Sequence, residues 1–563
     1  MKATAVRAQT PSAHAVAKSG VASGLLTRLR RDALQALAAA PLYHHTLIGP
    51  VPADLRCRLG ERWPGDPKRG AAIFEGDIEL HGETVRNPAP VWSPRSASPE
   101  WLAEWHGFTW IADLISVGPE AREAARALIQ SWLRENTRWD PIVWRSDVIA
   151  TRLFSWGVHL DEIAARESDR PLRRAILSAM SAQLRHLSRT ASWELNGAAR
   201  LRAIKGLIGG LAALGGSAKR LQRALRQLQH ELAAQLNADG GHRSRCPSLQ
   251  LDVLRDLIDI RATLRAARAD VPQPLHDAIL RMAPMLRFFR HGDRRLALFN
   301  DAVEEDGVLI DLVLTRSEGK KQPAQQAPQT GFQRLQAGHS LVLADTGAPS
   351  PGFGEHAHAG ALSFEFSQGR ERIIVNCGGY RGAKPAWHRV ARASAAHSVL
   401  VVEDANAFEV DDDGPAIAGP GAVRCERAEE GGHQWMSATH DGYRSRFGVS
   451  YVRELYLAPD GDDLRGEDRL TGRAGIVFTV RFHLHPAVEA SLAADTKGAL
   501  LRLPSGAVWR LRCAGAELSL GESVYLGSGE ARKTQQVVLS GRTDDNGAAV
   551  RWAVRREPKP EDG

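Results

Sequence analysis

Two spacings of apolar residues divide the chain. From Ser98 to about Arg290 apolar positions recur every three to four residues, the period of a helix buried along one side. Ser98-Pro99-Glu100 reads as a helix start, with a capping hydroxyl, a proline in the first turn and an early acid. Trp101, Trp105 and Phe108 then fall at i, i+4 and i+7 on one stripe. Further helices are predicted to begin near Pro119, Ser146, Pro171, Asn196, Ser217, Pro247 and Pro274, after short breaks rich in Gly, Pro, Asp or Asn. The pattern predicts an all-α domain over residues 96–295, and periodicity alone admits a bundle, a solenoid or a ring of helix pairs.

Beyond Leu296 the period drops to two. Residues 451–457 and 464–470, joined through Pro459-Asp460-Gly461-Asp462, form one predicted hairpin, and residues 501–503 and 508–511, turning at Ser505-Gly506, form another. Leu362-Ser363-Phe364-Glu365-Phe366 alternates in the same way, turns at Gln368-Gly369 and returns through Ile373-Ile374-Val375. Repeated hairpins predict an antiparallel β-sandwich over residues 296–563, within which the polar stretch 316–330 is expected to be a mobile loop. Residues 1–95 read as a lead-in segment. It holds an amphipathic helix over residues 25–37 and two strand-like pieces, Ala72-Ile73-Phe74 and Ile78-Glu79-Leu80. The expected fold class is therefore α+β in separate domains, α first and β second.

Composition narrows the partners. At 563 residues the chain is too long for one core, and 43% hydrophobic with 25% charged residues is the balance of a globular protein. A net charge of +8 favours acidic partners. Arginine is spread along the chain with no base-stacking aromatics between, which argues against nucleic acid. Five scattered cysteines, none in a Cys-x-x-Cys pair, exclude a disulfide framework or zinc ribbon. No apolar run reaches the ~18 residues of a membrane span, and residues 1–24 lack the apolar core of a secretory signal.

Candidate chemistry gathers in residues 352–400. His356 and His358 stand two apart, so in extended backbone their rings would share a face, and His397 opens the strand-like run Val399-Leu400-Val401-Val402. From spacing alone, a shared site and three unrelated loop histidines are equally good readings. The stretch resembles the signature of heparinase II/III-type polysaccharide lyases, whose β domain carries a pattern close to His-x-His-x-Asp-x-x-Ser-Phe. Here it runs from His356 to Phe364, with Gly360 in the aspartate's place. Residues 375–380 (VNCGGY) and 396–402 (AHSVLVV) match the same family's run of features.

That resemblance implies an α/α toroid followed by a β-sandwich, and β-elimination on an acidic, uronate-containing polysaccharide at the cell envelope or periplasm. A cytoplasmic setting is the alternative, since no signal is visible; no cofactor is required. It implies that Asn196 holds the substrate carboxylate and that His356 is catalytic. Glu194, Arg200 and Arg202 are candidates to line the same cleft, with a solvated helix face as the plain alternative. The family's Asp-Gly-Gly-His reappears as Asp239-Gly240-Gly241-His242, but Leu249 stands where lyases carry a proton-transferring tyrosine, leaving His242 or Tyr380 to take over. His358 and His397 match positions that bind structural zinc in some relatives, with Asn376 in place of the third ligand, an aspartate. His440 and Tyr443 are expected to edge the cleft. Loss of the tyrosine favours a second reading, a protein that binds anionic glycan without cleaving it. A glycoside hydrolase using Glu194 and Glu355 is a third.

Overall fold

The computed structural model of the protein describes residues 32–33, 36–40, 42–136, 138–349, 353–409, 423–494 and 498–558. Of the helix expected over residues 25–37, residues 32–33 and 36–37 are described and are helical, and the rest lies outside the described residues.

Helices Pro99–Gly107, Pro119–Glu135, Ser146–Ile163, Arg170–Thr190, Gly197–Leu214, Ala218–Gln235, Pro247–Ala266 and Gln273–Phe288 start where the sequence signals place them. The caps explain why: the Ser98 and Ser217 hydroxyls accept from the amides of Trp101 and Arg220. The apolar stripes converge on one core in which Trp101, Trp105, Phe108, Trp110 and Trp156 are buried, Trp105 and Trp110 stacking 4.6 Å apart. Two expectations fail for local reasons. Ala72-Ile73-Phe74 is helical, because Asp66 caps Lys68 and Arg69 and Pro67 opens the helix Pro67–Glu75. Only Ile78-Glu79-Leu80 is a strand, paired with Glu83–Arg86. Beyond residue 295, Asp306 caps the additional helix Gly307–Arg316, whose Ile310, Val313 and Leu314 join the helical core.

The residues after 316 are tied down. Arg261 donates to the carbonyls of Arg316 and Ser317, Arg287 donates to those of Gly319 (2.6 Å) and Lys321 (3.2 Å), and Gln326–Ala327 pairs with the strand Phe332–Ala337. The segment expected to be a mobile loop is thus a strap across the helices.

The remaining strands form two antiparallel sheets, of eight and nine strands among the described residues. All three predicted hairpins are present: Val449–Leu457 with Asp463–Gly472, Gly498–Arg502 with Val508–Ala514, and Phe364–Gln368 with Glu371–Val375. The sheets face each other across a second apolar core, where Phe364 stacks on Trp552 at 5.5 Å and Phe366 meets Trp509 edge-on at 5.1 Å.

The part of the nine-stranded sheet beside the helices is covered on both sides. Along the strand Ser340–Asp345, Val342 and Ala344 point into the sandwich core while Leu341 and Leu343 point into the helical core, so every residue is buried. The contact is pinned by a buried ion pair. Arg245, in the loop ahead of the helix Pro247–Ala266, reaches the Asp345 carboxylate and donates to the carbonyls of Thr330 (2.8 Å) and Gly331 (3.2 Å). Asp239 adds a clasp, accepting from the amides of Gln329 (3.0 Å) and Thr330 (2.8 Å) and the Thr330 hydroxyl (2.6 Å). Burial pushes the Asp345 carboxyl pKa up, and Arg245 opposes that rise.

Removing one partner strands the other charge away from water, so Asp345→Ala should cost about 3–5 kcal/mol of stability. An Arg245→Met, Asp345→Leu pair should cost less than that single change, as judged by urea denaturation.

Candidate active site at the helix–sheet junction

His356 lies in a one-turn helix, Gly354–His356, rather than in a strand, so it and His358 do not share a face as extended backbone would have required. Arg392, on the helix Pro385–Arg392, holds that turn by donating to the carbonyls of Gly354 (2.6 Å) and Ala357 (3.0 Å). The half-buried imidazole of His356 meets Asp301 through Nδ1 at 3.2 Å and Glu355 through Nε2 at 3.5 Å. Burial works against its charge, but the two carboxylates outweigh burial and raise its pKa to about 9. The ring is therefore an imidazolium at neutral pH.

Asp301 stays ionised although burial opposes it, because the Arg381 guanidinium 3.1 Å away and His356 hold its pKa well below the carboxylate range. Arg381 is raised in turn, chiefly by Asp301. The line Arg381–Asp301–His356–Glu355 alternates in sign, and its partners fix each charge in place.

The turn bearing His356 packs on the helical body. Phe353 meets the His242 ring edge-on at 5.4 Å, and Gly197 (φ 54°) lies so close that a Cβ there would sit 3.7 Å from Phe353 and 3.9 Å from the Glu355 carboxylate. The structure thus brings the start of the helix Gly197–Leu214, with its exposed N-cap Asn196, up to the turn carrying His356. Asn196 does not cap its own helix; its Oδ1 accepts from Arg200 at 3.0 Å.

The other expected residues divide sharply. His242 is buried with both nitrogens engaged: the Ser244 amide donates to Nδ1 at 3.1 Å, so Nε2 carries the hydrogen and donates to Gln235 Oε1 at 3.1 Å. Gln235 passes the chain on to the Gly197 carbonyl at 2.9 Å. Burial lowers the His242 pKa to about 3, so the ring is a fixed neutral link beneath the site. Glu194 accepts from the amide and hydroxyl of Ser146, so its carboxylate serves the start of the helix Ser146–Ile163. Arg200 is spent on the Leu195 carbonyl (2.6 Å), Glu231 and Asn196, and Arg202 on Asp256 at 3.2 Å. Tyr380 stands half-buried one residue before Arg381, its ring stacked on Trp387 at 6.0 Å.

His440 and Tyr443 do not edge the cleft. Both are buried in the sandwich, where the Tyr443 hydroxyl donates to the Leu400 carbonyl at 3.1 Å, and burial lowers the His440 pKa to about 4. Their positions end and follow the strand His433–His440, whose even-numbered residues face the core.

Three contributors carry no motif. Asp301 and Arg381 face each other only in the fold, and the one local sign is that neighbouring Asn300 adopts φ 55° and bridges the Arg245 carbonyl to the His358 amide. Glu305, on the same loop at φ 57°, interacts with Ser248, the neighbour of Leu249. Burial, reinforced by Asp252, raises its pKa.

The zinc that the resemblance implied does not fit the donors present. His397 Nδ1 donates to the Ala393 carbonyl (2.8 Å), so its Nε2 accepts from His358 Nδ1 at 3.3 Å. Two imidazoles at that spacing could share one tetrahedral ion at about 2.0–2.1 Å from each, but Asn376 offers an amide whose Oδ1 already accepts from the Ser398 amide at 3.0 Å. Among the described residues no three His, Cys, Asp or Glu side chains gather around a metal position.

Comparison with known proteins agrees with this architecture. The family model described as Heparinase II/III-like, C-terminal, matches residues 319–553. FtsZ-localized protein C of Caulobacter vibrioides is 30% identical over 536 residues, covering 90% of this chain and 91% of the relative. Heparinase III superposes with a TM-score of 0.70 at 13% identity, over 87% of this chain and 84% of that one. Heparan sulfate lyase HepC from Pedobacter heparinus gives 0.59 at 15% identity, over 96% and 89%. At such identities these structures establish the shared fold, a helical toroid followed by a β-sandwich.

Two measurements bear on the site. The folded state holds the His356 proton more tightly than the unfolded chain, whose histidine titrates near 6.5. Its stabilising share is therefore complete below that value and should fade as pH rises through about 9. Melting temperatures should fall more over this window for the native chain than for His356→Gln. As for metal, dialysed protein should retain well under one zinc per chain, and Asn376→Asp should raise that figure in elemental analysis.

Proposed function

The chain belongs to the heparinase II/III-like family, and on that premise we propose that it binds an acidic glycan at the helix–sheet junction and cleaves it by β-elimination. The observation carrying this reading is the His356 imidazolium, held cationic by Asp301 and Glu355 beside the N-terminus of the helix Gly197–Leu214. A helix N-terminus and a fixed cation favour a carboxylate between them.

In this reading the uronate carboxylate meets the Asn196 amide, which stabilises the charge that develops as the C5 proton leaves. Glu305, raised in pKa and next to the position of the absent tyrosine, is the base that takes that proton. The electron pair forms the C4–C5 double bond, the C4–O4 bond breaks, and His356 gives its proton to the departing O4. Protons then balance, one gained by Glu305 and one lost by His356.

A second reading, binding without cleavage, draws on Leu249 and on the near full-length relative, whose name records localisation with FtsZ and no reaction. For this chain we propose a cell-associated location on the same ground.

Incubation with a panel of uronate polysaccharides, followed by ultraviolet absorbance of the new double bond, decides between the two. Elimination should occur in the native chain, fall by ~100-fold or more in Asn196→Ala, and vanish in His356→Ala and Glu305→Gln while polymer binding persists. Binding with no chromophore in the native chain would establish the second reading.

A further inference from the structure

The eight-stranded sheet carries a groove of about 740 Å³ on the face turned away from the sandwich core, and none of its lining residues belongs to the junction site. Strand register lays out its floor. Trp435, Tyr456, Arg465 and Ala553 stand opposite one another in successive strands and form one row. Ser437, Glu454, Glu467 and Arg551 form the next. Between the rows Gly466 and its partner Trp552 face the other way, and a Cβ on Gly466 would strike the Trp552 ring at 2.2 Å, so the indole stays in the sandwich core and only backbone separates the two rows.

Two features are unfavourable for the sheet itself. Trp435 is 38% exposed, stacked with His433 (5.6 Å) and tilted against Tyr456 (5.5 Å). Glu454 stands directly opposite Glu467, a like-charge pair that weakens strand pairing, with Arg469 reaching both. The polar groups are also held in place: Arg465 is fixed by Asp463 at 2.6 Å and lies 5.4 Å over the Tyr456 ring, and Arg551 is fixed by Glu467 at 2.7 Å.

We propose that this groove binds an uncharged oligosaccharide, with sugar rings on Trp435 and Tyr456 and hydroxyls on the carboxylates and guanidiniums beside them. The charge pattern selects this occupant. Glu426, Glu454 and Glu467 balance Arg465, Arg512 and Arg551 along the groove, while the fourth arginine of the lining, Arg427, turns its guanidinium onto the Gln325 and Arg334 carbonyls, so a polyanion gains nothing net. An apolar helix of a partner protein would bury those charges at a cost of desolvation. Sugar hydroxyls donate and accept at once, so they satisfy both signs, and the C–H faces of the rings suit an aromatic platform.

The test is calorimetric titration of the full chain with hexasaccharides of cellulose, chitin and xylan. Saturable binding of at least one is expected, weakened about tenfold or more by Trp435→Ala and by Glu454→Ala, and unaltered by His356→Ala. Circular dichroism and melting of each variant separate lost binding from lost folding. Saturable binding of none of the three would overturn the proposal, as would binding indifferent to both groove substitutions. Reversible dimerisation abolished by Trp435→Ala would assign the groove to a second copy of the chain instead.

Discussion

The whole arrangement depends on a charge pair kept out of water. Arg245 leaves the helical body in a loop at φ 61° and ends on Asp345, the last residue of a strand buried on both faces. Burial works against the Asp345 charge and Arg245 opposes that, while removing either partner would leave the other polar group buried without its mate, so each requires the other, and with it the registration of helices against sheet. Arg245 also takes the Thr330 and Gly331 carbonyls, while Asp239 takes the Thr330 amide. The Asp-Gly-Gly-His sequence, which looks catalytic when read as a string, is therefore largely a fastening. Gly240 and Gly241 are glycines because a Cβ at either would fall within 2.1 Å of Arg281 or 2.0 Å of Thr330.

With that registration set, the junction's electrostatics follow from a few short contacts. Asp301 lies between Arg381 and His356, and neither cation comes from its own loop. The lead-in hairpin shares in the enclosure, since Gly82 at its turn sits against the Arg381 carbonyl, where a Cβ would come within 1.9 Å. Two stretches distant in sequence thus hold Arg381, Gly82 at its backbone and Asp301 at its guanidinium, and that carboxylate partner sets the protonation of the histidine. A histidine left to itself at this depth would be neutral, as His242 beside it is.

Much of the fold was legible because its signals are local. Capping serines, first-turn prolines and hairpin turns declare themselves within four or five residues, and the helix starts and three hairpins follow from them. The failures have equally local causes, as where Asp66 and Pro67 turn three apolar residues into helix. The junction was legible only in part. Asn196, His356 and His397 belong to recognisable strings, whereas Asp301 and Arg381 acquire meaning only when a loop and a turn 80 residues apart meet at 3.1 Å. His440 and Tyr443 illustrate the opposite error. A histidine and a tyrosine near a site invite a chemical role, yet alternation along their strand sends His440 inward to an apolar core, and Tyr443 follows it.

The strand buried on both faces also constrains how the chain is made. Synthesis runs from the helices to the sheet, so Phe289, Phe299 and their neighbours are complete before Phe332, Leu341 and Leu343 exist to cover them. For the time needed to add those residues, one side of the helical body is a finished surface with its lid still unwritten. At ordinary rates of translation, about 5–20 residues per second, that interval lasts on the order of seconds, long compared with helix formation. The ribosome-bound nascent chain thus carries an exposed apolar face that its own later strands must reach before another molecule does.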